Sequence, residues 1–209
     1  MIDQVDIDLR AALLPVRDQG PRPTCLAHAA SAAHERARVA MVSLSPEYLH
    51  FFATGGLIST GCSMEATAKA LVGKGQPAEA DCPYLMVPPP AGWRPPTGLQ
   101  VFRRVSEAKG CTAAEIEEAV RARRLPVLGI SLPESFFRPQ APWVISLGGT
   151  IRGLHAVAGA GVGRHQGRRV ILIRNSWGPS WADAGYAWLD ETFITQHLKH
   201  VLVLTDEVA

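Results

Sequence analysis

Small apolar residues run from Leu26 through Ala29, Ala30, Ala33 and Ala37 to Val42 with no interior Gly or Pro. That pattern predicts a helix starting at Cys25, just after the restricted segment Pro21–Pro23, with Thr24 as its N-cap. Ser45-Pro46-Glu47 predicts a second start, with Ser as cap and Pro at the first helical position. A third helix is expected from Ser63 through Ala66, Ala70 and Leu71 to Gly73 or Gly75. Periodicity then stops at Val87-Pro88-Pro89-Pro90-Ala91-Gly92-Trp93-Arg94-Pro95-Pro96, an extended connection where the chain is expected to cross between lobes.

Beyond that connection the pattern shortens. One helix is expected, announced by the capping box Thr112-Ala113-Ala114-Glu115 and ending near Arg124. Short apolar runs follow at 126–132, 143–147, 155–162, 170–174, 186–189 and 201–204, with a hairpin turn at Gly163–Gly167. Helices first and strands later predict an α+β protein, a helical lobe packed on a sheet or barrel lobe.

The chain has 209 residues, 47% hydrophobic and 19% charged, enough for one large domain or two lobes sharing an interface. A formal net charge of +2 argues against a nucleic-acid or acidic-membrane partner. The acidic start Met1–Asp8 does not read as a secretory signal, and no apolar run approaches the ~20 residues of a membrane span. A cytoplasmic location follows as an expectation. Cys25, Cys62, Cys82 and Cys111 form no C-x-x-C pair, so no metal site is expected; with Cys25 set aside at most one disulfide can form, and buried free thiols in a reducing cytoplasm are the preferred reading. His197 and His200 share a helical spacing but have no supporting ligands. His28 and His34 are expected to pack or lie exposed, and His50 and His165 to sit on a helix surface and in a turn.

The chemistry gathers around Cys25. Gln19 precedes it by six positions, in the extended segment Pro15–Gly20. His155 lies in the apolar run Leu154–Gly159, and Asn175 in Arg174-Asn175-Ser176-Trp177-Gly178. They follow Cys25 at about 130 and 150 residues, the separation seen in papain-type sequences. A helix N-terminus favours a thiolate, which makes Cys25 a candidate nucleophile. His155 would pair with it as imidazolium and later protonate a leaving amine. Asn175 would orient the other ring nitrogen, under a Trp177 indole that excludes water. Gln19 and the Cys25 backbone N–H would donate to the oxyanion.

These residues resemble the papain-like cysteine peptidases, in a compact bacterial form, over nearly the whole chain. Pro15–Gly20, Leu154–Val157, Asn175–Gly178 with Trp181, Gly185-Tyr186, Leu44–Leu49 and Pro83-Tyr84 carry the resemblance, as do Leu125–Ile130 and Glu134–Phe136. It implies a two-lobed fold, with a helical lobe at about 20–100 and an antiparallel, barrel-like β lobe at about 101–209 that includes the N-terminal segment. The active site would lie in the cleft between them. It also implies a polypeptide substrate, no cofactor, and Met64, Glu65, Ile130, Ala156 and Trp177 as substrate-binding positions. Ile130 and Ala156 would favour an apolar residue two before the scissile bond.

The sequence also departs from the family. The signature C-G-[SA]-C-[WY] is replaced by Arg22-Pro23-Thr24-Cys25-Leu26, so the upstream disulfide cysteine is missing and Cys62 is left free. Two substrate-binding glycines give way to Met64 and Glu65, which would narrow or charge the cleft. No inhibitory pro-segment is recognised, which points to an enzyme active from the start or controlled by a dedicated protein partner. Two rivals share the same residues: an acyl-transfer enzyme (ligase, cyclase or amidase) using the same thioester, and a non-catalytic module that keeps the fold.

Overall fold

Three of the expected helix starts are capped by the side chains that announced them. In the computed structural model, which describes residues 1–38 and 41–208, Ser45 Oγ accepts from the Tyr48 N–H at 3.0 Å and opens α2, Pro46–Ala53. Ser63 does the same for α3, Met64–Gly73, and Thr112 for α4, Ala113–Arg121. The first helix, α1, spans Cys25–Ala37 and behaves differently. Thr24 stands at its N-cap but its hydroxyl makes no cap bond, meeting the Tyr84 hydroxyl at 2.8 Å instead. The helix also stops short of Val42, and residues 39–40 of the expected run lie outside the described residues.

Every residue of α1 from Leu26 to Glu35 is buried. A helix covered all round loses the amphipathic stripe, and its alanines let neighbours approach closely. α1 packs against α2 and α3 on one side and against the sheet on the other. Its polar residues are bonded internally. Gln76 joins them, its Oε1 3.0 Å from His34 Nδ1 while its Nε2 donates to Ser31 Oγ at 2.7 Å.

Eight strands form one sheet among the described residues: β1 Gln4–Asp8, β2 Arg103–Lys109, β3 Val127–Pro133, β4 Val144–Ile145, β5 Ile151–His165, β6 Arg168–Arg174, β7 Tyr186–Asp190 and β8 Leu198–Val208. Their order is β2-β8-β3-β5-β6-β7-β4, with β1 added on β5. All pairings are antiparallel except β4 with β7. The expected barrel does not close, because β2 and β4 end the path without pairing.

β5 is the spine of the sheet. Its first half pairs with β3 and its second half with β6 and β1. A bulge at Gly159–Gly161 lets it turn between these partners. The hairpin to β6 closes through Gln166 and Gly167, both at positive φ.

Three elements had no matching sequence expectation. β1 and β2 are mostly polar, because each lies along a sheet margin and buries little. A second helix in this half, α5 Glu191–His197, is capped by Asp190, whose carboxylate accepts from the Thr192 N–H at 2.7 Å. Among the described residues no helix is long and apolar enough to cross a membrane.

Candidate active site

The site forms where the start of α1 meets β5. Cys25 is the first residue of α1, half-buried, with the backbone of Ala156 in hydrogen-bonding reach of its sulfur. His155 is the fifth residue of β5, not the first as expected. The strand begins at Ile151, and His155 is where its burial begins. β5 thus reaches out past the site, leaving Leu154 77% exposed beside it.

Asn175 follows the last residue of β6, as the sequence indicates. His155 Nε2 lies 2.7 Å from Asn175 Oδ1. The Ser176 backbone N–H donates to the same Oδ1 at 2.8 Å, which fixes that atom as the amide oxygen. Nε2 must therefore carry a proton, and Nδ1 is left for exchange with another group. The Trp177 ring lies 4.8 Å from the imidazole centroid and Phe136 lies 5.7 Å away. Together they keep water from the His155–Asn175 contact.

Burial acts on the two reactive groups in opposite senses. It pushes the Cys25 thiol up, and it pushes the His155 imidazole down to about 4 while the Asn175 hydrogen bond opposes it. Burial thus biases each group, taken by itself, toward its neutral form. An ion pair here can form only as a unit, with one proton shared between the two groups.

Gln19 is buried and held at both ends of its amide. Ser176 Oγ donates to its Oε1 at 2.7 Å, and its Nε2 donates to the carbonyl of Arg22 at 2.7 Å. The second N–H of that amide is left over, and Gln19 lines the same cleft as Cys25. The segment carrying Gln19 is clamped along its length. Its backbone N–H donates to the Ser176 carbonyl at 2.8 Å. Arg174 donates to the carbonyl of Pro15 at 2.6 Å. Arg17 reaches Glu35 of α1 at 2.8 Å and Glu79 at 2.7 Å.

Arg22 occupies the place of the missing disulfide cysteine, and sequence reasoning gave it no role. Its guanidinium is buried and bidentate on Glu47 of α2. It also donates to the Leu85 carbonyl at 2.6 Å and stands 5.1 Å from the Tyr84 ring. The Tyr84 hydroxyl donates to the Gln19 carbonyl at 2.7 Å, so Thr24 must donate in its own contact with Tyr84. An ion pair and a tyrosine thus brace the turn between Gln19 and Cys25. The signal was present as a lone Arg among prolines and a Glu in the first turn of α2, but nothing in the sequence pairs them.

The cleft running from this site has a volume of about 1360 Å³. Met64, Glu65, Ile130, Ala156 and Trp177, the positions expected to bind substrate, all line it. Glu65 charges the rim less than expected, being 77% exposed and held by Lys69 at 2.7 Å. Cys62 lines the cleft as a free thiol, and Cys82 is a buried one. Cys111 departs from expectation in being exposed. His28 and His34 are buried, and so is His50, whose helix face turns inward rather than to solvent. No cluster of three metal-ligating side chains occurs among the described residues.

This architecture, a helical layer on an open antiparallel sheet with a Cys–His–Asn cleft between them, is the papain-like fold. It superposes on xylellain, a cysteine protease from Xylella fastidiosa, with a TM-score of 0.79 and 21% identity, over 98% of this chain and 87% of that one. The Carica candamarcensis cysteine protease CMS1MS2, solved with E-64, matches at a TM-score of 0.74 and 20% identity over 96% and 97% of the two chains. Cathepsin K from Gallus gallus is 28% identical over 196 residues, 88% of this chain and 58% of that protein. Chymopapain from Carica papaya is 50% identical over 32 residues, 9% of its length, so this chain matches only part of these relatives. The papain family of cysteine proteases matches residues 2–200, and this chain belongs to it.

Proposed function

We propose that the protein hydrolyses peptide bonds through an acyl thioester on Cys25. The observation that carries this reading is the contact of His155 Nε2 with Asn175 Oδ1 at 2.7 Å, because it frees Nδ1 for proton exchange beside a thiol at a helix start. As Cys25 attacks the carbonyl carbon, its proton passes to His155. The carbonyl π bond becomes an oxyanion, stabilised by the spare Gln19 N–H and the Cys25 backbone N–H. Collapse of this intermediate breaks the C–N bond, and His155 protonates the departing amine. Water, deprotonated by His155, then cleaves the thioester and restores the thiol. Asn175 holds the imidazole plane throughout, and Trp177 excludes water from that contact. Met64, Glu65, Ile130, Ala156 and Trp177 form the walls against which a polypeptide substrate lies.

The test is labelling by E-64 or a vinyl-sulfone peptide, followed by mass mapping, with Cys25→Ala as control. Selective modification of Cys25 is expected. Reaction at Cys62, Cys82 or Cys111 as fast as at Cys25 would refute an activated nucleophile.

A further inference from the structure

Two buried polar atoms beside the site have no partner among the described residues. One is Asn175 Nδ2, an amide nitrogen with two N–H groups on a residue only 3% exposed. The other is His28 Nε2, on a residue 4% exposed. The opposite ring nitrogen fixes its state. His28 Nδ1 lies 3.1 Å from the Thr24 carbonyl, which can only accept, so Nδ1 holds the proton and Nε2 presents a lone pair. A donor and an acceptor are thus buried together, and each is costly to leave unpaired.

Both residues line one small cavity at the seam between α1 and the sheet. Ala29 and Ala32 of α1 and Ala156 and Ala158 of β5 wall it with methyl groups, and neither Trp177 nor Phe136 is among its walls. Its volume is about 10 Å³, the room that one water needs. Arg17 and Arg174 also line it, which would suit an anion. Their guanidiniums are already engaged, Arg17 on Glu35 and Glu79, and Arg174 on the carbonyls of Leu14 and Pro15. The His28 lone pair would repel an anion, whereas a water can accept from Asn175 and donate to His28.

We propose that one water fills this cavity, accepting from Asn175 Nδ2 and donating to His28 Nε2, and that His28 is through it a positioning residue for His155. The positioning role rests on the hydrolytic reading above; the water site does not. Ser176 Oγ lines the cavity too and spends its own proton on Gln19, so it takes the water's second hydrogen. With both hydrogens given away, the water can only accept from Asn175. The amide therefore cannot flip and withdraw Oδ1 from His155 Nε2. His28 stands one helical turn beyond Cys25, so these bonds tie the imidazole to the helix that carries the nucleophile.

A high-resolution crystal structure should show a single peak within hydrogen-bonding distance of Asn175 Nδ2 and His28 Nε2. An empty cavity, or an anion revealed there by the anomalous signal of a bromide soak, overturns the assignment. The positioning role is read from two variants. His28→Phe keeps a ring and removes both nitrogens, and His28→Gln returns an amide acceptor. With a fluorogenic peptide, kcat is expected to fall about tenfold in His28→Phe while KM holds. The NMR signal of the His155 Nε2 proton should then exchange faster with solvent, and His28→Gln should restore both readouts. Equal loss in the two variants, wild-type values in His28→Phe, or a wild-type Nε2 proton that exchanges too fast to be seen overturns the role. If the wild-type protein cleaves no peptide, the hydrolytic reading falls and the role with it, while the density in the cavity still decides the water.

Discussion

Gln19 Nε2 donates to the carbonyl of Arg22 at 2.7 Å, and the Arg22 guanidinium is itself buried on Glu47. The amide facing the cleft and the turn leading to Cys25 are therefore one rigid unit. Its rigidity comes from charge, where the family signature has a disulfide cysteine.

Removing the donor should separate binding of the thiol reagent from catalysis. Gln19→Ala is expected to lower kcat about 100-fold while alkylation of Cys25 by iodoacetamide, which develops no oxyanion, keeps its rate. Steady-state kinetics and alkylation kinetics on one preparation check this. A parallel loss of both rates would place Gln19 in folding rather than in the oxyanion site.

The brace predicts a non-additive pair of substitutions. Arg22→Met leaves Glu47 buried and uncompensated, at a cost of about 3–5 kcal/mol. Adding Glu47→Leu removes the orphaned charge and should restore most of that stability, because an apolar pair of similar volume can replace a buried ion pair. Urea midpoints of the two single variants and the double variant measure the coupling. Additive losses would mean that the pair contributes nothing jointly.

The pH–rate profile follows from burial of both reactive groups. Activity requires the Cys25–His155 pair to hold one proton, whichever atom carries it. A second proton enters as pH falls toward the His155 value of about 4, and the last one leaves above the ordinary thiol range because Cys25 is pushed up. The expected kcat/KM profile is flat through neutrality, with an acid limb near 4. A limb centred near 6.5 would show that His155 is solvated.

Stability should fall earlier than activity on acidification. His28 is pushed down to about 3 and His34 to about 4, both mainly by burial. Their folded values lie below the unfolded value of about 6.5, so the unfolded chain binds more protons. The stability they confer is complete above about 6.5 and is lost as pH falls toward 4, at up to ~1.4 kcal/mol per pH unit for each histidine. Denaturant midpoints at pH 7, 6 and 5 should decline stepwise, and His34→Gln should flatten the decline.

Much of the site could be read along the chain because its parts are local. Ser45, Ser63 and Thr112 cap the helices they precede, and those bonds span only three residues. The apolar runs at 126–132, 170–174 and 186–189 bury one or both faces and so show as strands, β3, β6 and β7. Cys25, His155, Asn175 and Gln19 stood out by order and context. β1, β2 and α5 did not, since marginal strands and a seven-residue helix leave little periodicity.

The sequence by itself determined which residues are candidates for the chemistry, because a nucleophile, a proton carrier and an amide donor are set by side-chain type. Tertiary structure alone decided how they are held and what they face. The Arg22–Glu47 brace and the contact that fixes the proton on His155 Nε2 each join residues far apart in the chain. Burial and strand register create those relationships, and neither is a property of any local segment.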